Sequence, residues 1–261
     1  MSNSPLVSYT KRSPNHSGKR THVIDTISVH CMAGNLSVES CGALFAKSSR
    51  EASSNYGIGS DGRIALYVDE ANRSWCTSSK ANDQRAITIE VANTVAADPW
   101  PISDAAYNAL IDLLVDICQR NGIKKLLWEG NKNLIGQVDR QNMSVHRWFA
   151  AKACPGDWLY EHHGQIAEEV NARLEEKKEE ENDEDMVRYK KLSDIPESCN
   201  FRNIVDDLMT AGIIGGDGSD PDGNDDVIDL SHDMVRMLIF NYRAGVYDDK
   251  IEAAGIKPQR Y

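Results

Sequence analysis

In MSVHRWFAAKACPGDW (residues 143–158), His146 and Cys154 stand eight positions apart, with Lys152 two before the cysteine and Pro155-Gly156 directly after it. Imidazole and thiolate are donors that zinc prefers, and a catalytic zinc takes three protein ligands and leaves one position open. The same residue types also suit a stretch of core and turn, and the spacing alone leaves both readings open. Of the seven histidines, His16, His22, His162, His163 and His232 lie in contexts that suit surface or packing roles. His30 ends THVIDTISVH, where the close of a strand holds a ligand fixed yet reachable. Cys31 follows it, but successive strand side chains point to opposite faces, so His30 and Cys31 are not expected to share a metal. On pattern alone Glu90, in RAITIEVAN, reads as an exposed strand carboxylate and Lys152 as a surface lysine.

The elements that must position these groups are readable from periodicity and caps. THVIDTISVH (21–30) is β-branched and roughly alternating, and RAITIEVAN (85–93) sets Ile87, Ile89 and Val91 on one face against Thr88, Glu90 and Ala92 on the other. NYGIGSDGRIALYVD carries Asp61-Gly62 between two short strand candidates, a hairpin signal. Helices are expected after Ser37, in SVESCGALFAKSS, and after Ser103, where Tyr107, Leu110, Ile111, Leu114 and Ile117 form a stripe closed by Asn121-Gly122. A further helix is expected in DWLYEHHGQIAEEVNARL, with Leu159, His163, Ile166, Val170 and Leu174 at helical spacing. Strands scattered among helices predict an α/β or α+β domain, a mixed sheet flanked by helices.

Charge divides the chain. Residues 1–174 hold 18 acidic and 18 basic groups, 175–185 hold 8 and 2, and 186–261 hold 14 and 9, so the net charge of −11 lies wholly in the last third. The run EEKKEEENDEDM (175–186) has almost nothing to bury and reads as a linker between a domain at 1–174 and a small, mainly helical one at 187–261. An acidic tail repels nucleic acid and anionic lipid, so neither is an expected partner. There is no apolar run long enough for a membrane span and no apolar segment of a secretory signal. Six scattered cysteines without close pairs favour free thiols or metal ligation over a disulfide framework.

In the last part, FRNIVDDLMTAGII and SHDMVRMLIFNYRAGV read as two short amphipathic helices, each ending near a glycine. Between them lies GGDGSDPDGNDD. Tested as an EF-hand calcium loop, it places Asp225 where the glycine is required and Ser231 where the closing glutamate should be, so a solvated loop is the better reading.

Taken together, IDTISVHCMAG, SDGRIALYVDE, NDQRAITIEVAN and VHRWFAAKACPGDWL resemble the zinc-dependent N-acetylmuramoyl-L-alanine amidases. These share their fold with peptidoglycan recognition proteins and with a phage "lysozyme" that is an amidase. The resemblance covers roughly residues 20–174, and its most specific element is the closing H…K-x-C-P-G. It implies Zn2+ as cofactor, held by His30, His146 and Cys154, with Glu90 and Lys152 as the catalytic pair. Zinc would polarise a poorly electrophilic amide carbonyl, Glu90 would move the proton of water to the leaving nitrogen, and Lys152 would stabilise the oxyanion. Two departures stand out. A tyrosine that some members carry near the metal is replaced by Ser54, with Tyr56 on the neighbouring aromatic position, and Trp-His in many members is Trp75-Cys76 here. Trp75 and Tyr56 are expected to contact substrate, and Cys76 is not expected to be a ligand.

The tail, from Asp194-Ile195-Pro196 through Gly212-Ile213-Ile214-Gly215, loosely resembles surface-layer-homology and related wall-anchoring modules. The other reading is a small helical oligomerisation domain that pairs with a second copy. The implied whole is an amidase acting on bacterial peptidoglycan between N-acetylmuramic acid and L-alanine. As a phage or prophage endolysin it would wait in the host cytoplasm until release to the cell wall. An autolysin, a zinc stem-peptide peptidase and a non-catalytic peptidoglycan-binding protein on the same fold are the rivals.

Overall fold

The computed structural model describes residues 2–184, 187–196, 200–216 and 227–258. Two compact units divide the chain, Met1–Lys177 and Lys178–Tyr261.

The first unit is a mixed sheet flanked by helices. Its elements are β1 (Tyr9–Thr10), β2 (His16–Lys19), β3 (Thr26–Cys31), α1 (Val38–Phe45), β4 (Tyr56–Ile58), β5 (Ile64–Leu66) and β6 (Asn72–Ser74). They continue with α2 (Lys80–Arg85), β7 (Ala86–Val91), α3 (Asp104–Asn121), β8 (Met143–Ser144) and α4 (Asp157–Glu184). The six-stranded sheet runs β1-β5-β4-β7-β3-β8, and β2 and β6 form a separate antiparallel ribbon. At the centre β3 lies parallel to both β7 and β8, and β4 parallel to β7. The Asp61-Gly62 signal is realised as the β4–β5 turn, where Gly62 has φ 81° and its N–H donates to the Gly59 carbonyl at 3.0 Å.

The alternation read in β7 sorts the sheet's two faces. Ile27, Val29, Ile87, Ile89 and Val91 pack into one cluster with Leu110, Ile111, Leu114 and Ile117 of α3 and Leu159, Ile166, Val170 and Leu174 of α4. Burial of each such aliphatic side chain stabilises by about 1.5–3 kcal/mol, which is why this face fixes the register. α3 starts where Ser103 accepts from Ala106 N and stops at Gly122, φ 69°. α1 is capped by Ser37 and joins Val38, Cys41 and Phe45 to Ala65 and Tyr67 in a second cluster. The five cysteines among the described residues are unpaired thiols.

The acidic run 175–184 continues α4 as helix. The second unit contains β9 (Arg188–Lys191), α5 (Phe201–Thr210), β10 (Val227–Ser231), α6 (His232–Arg243) and α7 (Asp248–Ala253). Ile204, Val205 and Leu208 of α5, Val235, Ile239 and Tyr242 of α6 and Ile251 of α7 share its core. The expected helix pair is therefore present, and the strands that precede the two helices, β9 and β10, pair as an antiparallel ribbon that the sequence did not announce. Most of GGDGSDPDGNDD, and with it the calcium question, lies outside the described residues. Among the described residues no helix is long and apolar enough to cross a membrane.

Candidate active site

β3 and β7 pair so that His30 stands opposite Glu90. Because side chains alternate, Ser28, His30, Thr88 and Glu90 share the sheet face opposite the α3–α4 core. His30 is fully buried, and its ring orientation is set from behind. Ser28 Oγ donates to the Ser144 carbonyl at 3.2 Å and lies 3.1 Å from His30 Nε2. Its single proton being so committed, the hydroxyl accepts from Nε2–H, which leaves the Nδ1 lone pair facing forward. Burial, then the neighbouring His146 and His163, hold the His30 pKa down to about 3, so the ring is neutral and able to ligate.

The forward side of His30 meets the opening stretch. Parallel pairing of β8 with β3, Ile27 to Met143 and Ser28 to Ser144, carries the chain to a short 3-10 turn at His146–Trp148. That turn sets the His146 ring 5.2 Å from the His30 ring, centre to centre. Ser78 Oγ lies 3.0 Å from His146 Nε2. Burial, then Lys152, lowers the His146 pKa. After Cys154 the chain turns at Gly156, φ 87°, where a Cβ would come within 2.5 Å of Trp100 Cβ, so only glycine fits. Arg147 N donates to the Cys154 carbonyl at 3.1 Å, and its guanidinium binds Asp157 at 2.9 Å. These bonds bring Cys154 Sγ to 3.3 Å from His30 Nδ1.

One donor atom from each of His30, His146 and Cys154 lies within 4.8 Å of the others. Zinc bonds to nitrogen and sulfur place tetrahedral donor pairs about 3.5 Å apart, so the residues present fit that ion. Ser28 supplies the outer hydrogen bond that ligating histidines ordinarily have.

Beside this triad sits Glu90. Its Oε1 is 3.9 Å from Cys76 Sγ, and its Oε2 is buried with no hydrogen-bond partner. Burial, with a smaller push from Cys31, raises the Glu90 carboxyl to about 8. Cys76 is brought in by Asp83, whose carboxylate accepts from the backbone N–H groups of Cys76 (3.2 Å) and Thr77 (3.1 Å) and from the Thr77 hydroxyl (2.6 Å). His30, Cys76 and Glu90 form a second set of donors within 4.8 Å of one another. Cys31 belongs to neither set, although it lines the same groove.

The two donor sets border a groove of about 580 Å³. Trp75 forms part of its wall, half-buried, with the indole N–H donating to Ser17 Oγ at 2.7 Å. Lys152 is exposed on the rim with Arg50 and Lys80, and the half-buried Arg73 lines it as well. Tyr56, expected at this groove, is not there. Its register partner on β7 is Ile89 whereas that of Gly57 is Glu90, so the phenol points into the apolar face and donates to Glu70 Oε1 at 2.5 Å. Ser54 is also buried, its hydroxyl donating to the Tyr56 carbonyl at 2.7 Å. Sequence reading passes over Ser28, Ser78 and Asp83, and it does not expect Cys76 to be a ligand. The N-cap serine Ser79, at the start of the helix α2 that carries Asp83, is the local signal that could have marked the preceding loop of Cys76 and Ser78.

The chain is similar to proteins of known structure. Among solved structures, that of the Staphylococcus aureus hydrolase AmiA in complex with its ligand is 15% identical, with 64% of this chain and 82% of that one covered at a TM-score of 0.47. PlyL is 15% identical, covering 62% of this chain and 95% of its own at 0.45. Drosophila peptidoglycan recognition protein SD is 17% identical, covering 60% and 93% at 0.40. No curated protein matches the chain. The family described as Amidase_2, N-acetylmuramoyl-L-alanine amidase, matches residues 20–157, a span that contains His30, Glu90, His146, Lys152 and Cys154. Because that match takes in more than half of the 261 residues, the chain belongs to the N-acetylmuramoyl-L-alanine amidase family.

Proposed function

We propose that the protein is a zinc-dependent peptidoglycan hydrolase that cleaves the amide between the lactyl group of N-acetylmuramic acid and L-alanine of the stem peptide. The observation that carries this reading is the meeting of His30, His146 and Cys154 beside Glu90 at one end of an open groove. Zinc held by the triad would supply Lewis acidity, polarising the amide carbonyl and acidifying water toward a pKa of about 7. Glu90, whose burial raises its pKa to about 8, suits a group that takes a proton near neutrality and then gives it up. It removes a proton from the attacking water and delivers one to the alanine nitrogen as the C–N bond breaks. Lys152, at the rim beside His146, holds a positive charge toward the oxygen that becomes anionic. Trp75 offers a flat wall for the glycan or peptide.

The second unit, with its own core, is proposed as a wall-targeting or self-associating module. Either role would raise the local enzyme concentration on a polymeric substrate at the cell wall. Mass spectrometry of digested peptidoglycan tests the reaction. Free stem peptides beginning with L-alanine are the expected product, and muramyl-alanine linkages left intact beside cleaved stem peptides would replace this reading with a peptidase.

A further inference from the structure

The groove holds more donors than a hydrolytic zinc requires. Cys76, almost fully buried, and Glu90 each present a donor within 4.8 Å of a His30 nitrogen and of one another. Their own separation, 3.9 Å from Sγ to Oε1, is close to what a shared tetrahedral ion imposes, about 3.5 Å. The buried Oε2 has no hydrogen-bond donor to satisfy it. A buried carboxylate oxygen without a partner is costly, and a cation is one group that removes the cost. Three different segments supply the donors: the end of β3, the loop that Asp83 holds, and β7. One thiol, one imidazole and one carboxylate suit a borderline or soft ion, whereas magnesium and calcium require oxygen-rich cages.

We propose that His30, Cys76 and Glu90 form a second metal position, overlapping the first, that takes a thiophilic divalent cation such as Zn2+ or Cd2+. His30 is common to both sets, so a single ion occupies one position or the other. Binding at the second position exchanges the Cys76 thiol proton, and the Glu90 proton where present, for the cation, and those protons pass to solvent. A carboxylate tied to the cation no longer accepts a proton from water. Cadmium held there displaces the zinc of the first position and is therefore an inhibitor, and Cys76 sets its affinity. This last consequence, unlike the binding itself, rests on the catalytic role proposed for Glu90.

Cobalt(II) titration of the full chain separates the two positions, because each cobalt–thiolate bond adds near-ultraviolet charge-transfer absorbance. Cys154→Ser is expected to retain a thiolate band, and Cys154→Ser/Cys76→Ser to lose it. Loss of the band in Cys154→Ser alone would overturn the proposal, as would its survival in the double variant. Cys76→Ser reports the first position by itself: a missing band there would count against Cys154 as a ligand and leave the second position standing. A second measurement needs no change at Cys154. At a fixed free zinc concentration, the cadmium concentration that halves each protein's own hydrolytic rate is expected to rise at least about tenfold in Cys76→Ser, in line with the effect of losing a metal-supporting group. Equal midpoints in the two proteins would overturn the proposal.

Discussion

His30 and Glu90 are register partners on adjacent parallel strands, so the imidazole and the carboxylate share one face of the sheet at a separation fixed by the β3–β7 ladder. His30 and Cys154, by contrast, meet across 124 positions of sequence at 3.3 Å. A one-residue slip of β7 would turn Glu90 into the α3–α4 core and bring a core aliphatic to the groove. The apolar packing of Ile87, Ile89 and Val91 thus fixes the position of Glu90.

Glu90→Gln keeps the shape of the side chain and removes its capacity to carry a proton. Turnover is expected to fall by about 10²–10⁴-fold, the usual contribution of a positioned acid–base group. Zinc content by elemental analysis should be unchanged. Wild-type turnover in this variant would exclude Glu90 from proton transfer.

Ser28→Ala leaves the metal-facing donors in place and removes the acceptor of His30 Nε2–H. Zinc affinity is expected to fall by about 10–100-fold, the ordinary effect of losing such an outer partner. Competition with a chromophoric chelator measures it, and unaltered affinity would show that the ring is oriented by packing alone.

His163 gives the apoprotein a stability that depends on pH. Its ring is fully buried against Trp128, with Nδ1–H donating to the Leu159 carbonyl, and burial lowers its pKa from 6.5 to about 4. Between those values the unfolded chain binds more protons than the folded one, so this contribution is fully present above pH 6.5 and is lost as pH falls toward 4. The slope reaches at most about 1.4 kcal/mol per pH unit. Urea midpoints measured with chelator present should fall less steeply over this range in His163→Gln than in the wild type. Parallel curves for the two proteins would assign the acid sensitivity elsewhere.

Legibility in the sequence followed the length of each pattern. α3 and α4 span several turns with caps or stripes, and the alternation in β7 runs for six residues, so their faces could be read directly. β4 has three residues, all buried, so alternation could not say on which side Tyr56 lies; that depends on its pairing with Ile89. The assignment of the triad came from family resemblance, since spacing left His146 and Cys154 undecided between ligand and turn. The place of Cys76 beside Glu90 is not legible from strand and helix patterns, which carry no trace of Asp83 gathering the N–H groups of Cys76 and Thr77. That loop geometry exists only once α2 has docked.

The rim of the groove has a bearing on how ligands arrive. The acidic and basic groups of residues 1–174 balance, yet Arg50, Arg73, Lys80 and Lys152 gather at one mouth, against the single exposed carboxylate of Glu51. Such a field draws anions over about one Debye length, roughly 8 Å in physiological salt. It therefore acts on the last stage of an anion's approach to the opening, and added salt weakens that pull before it disturbs any contact inside.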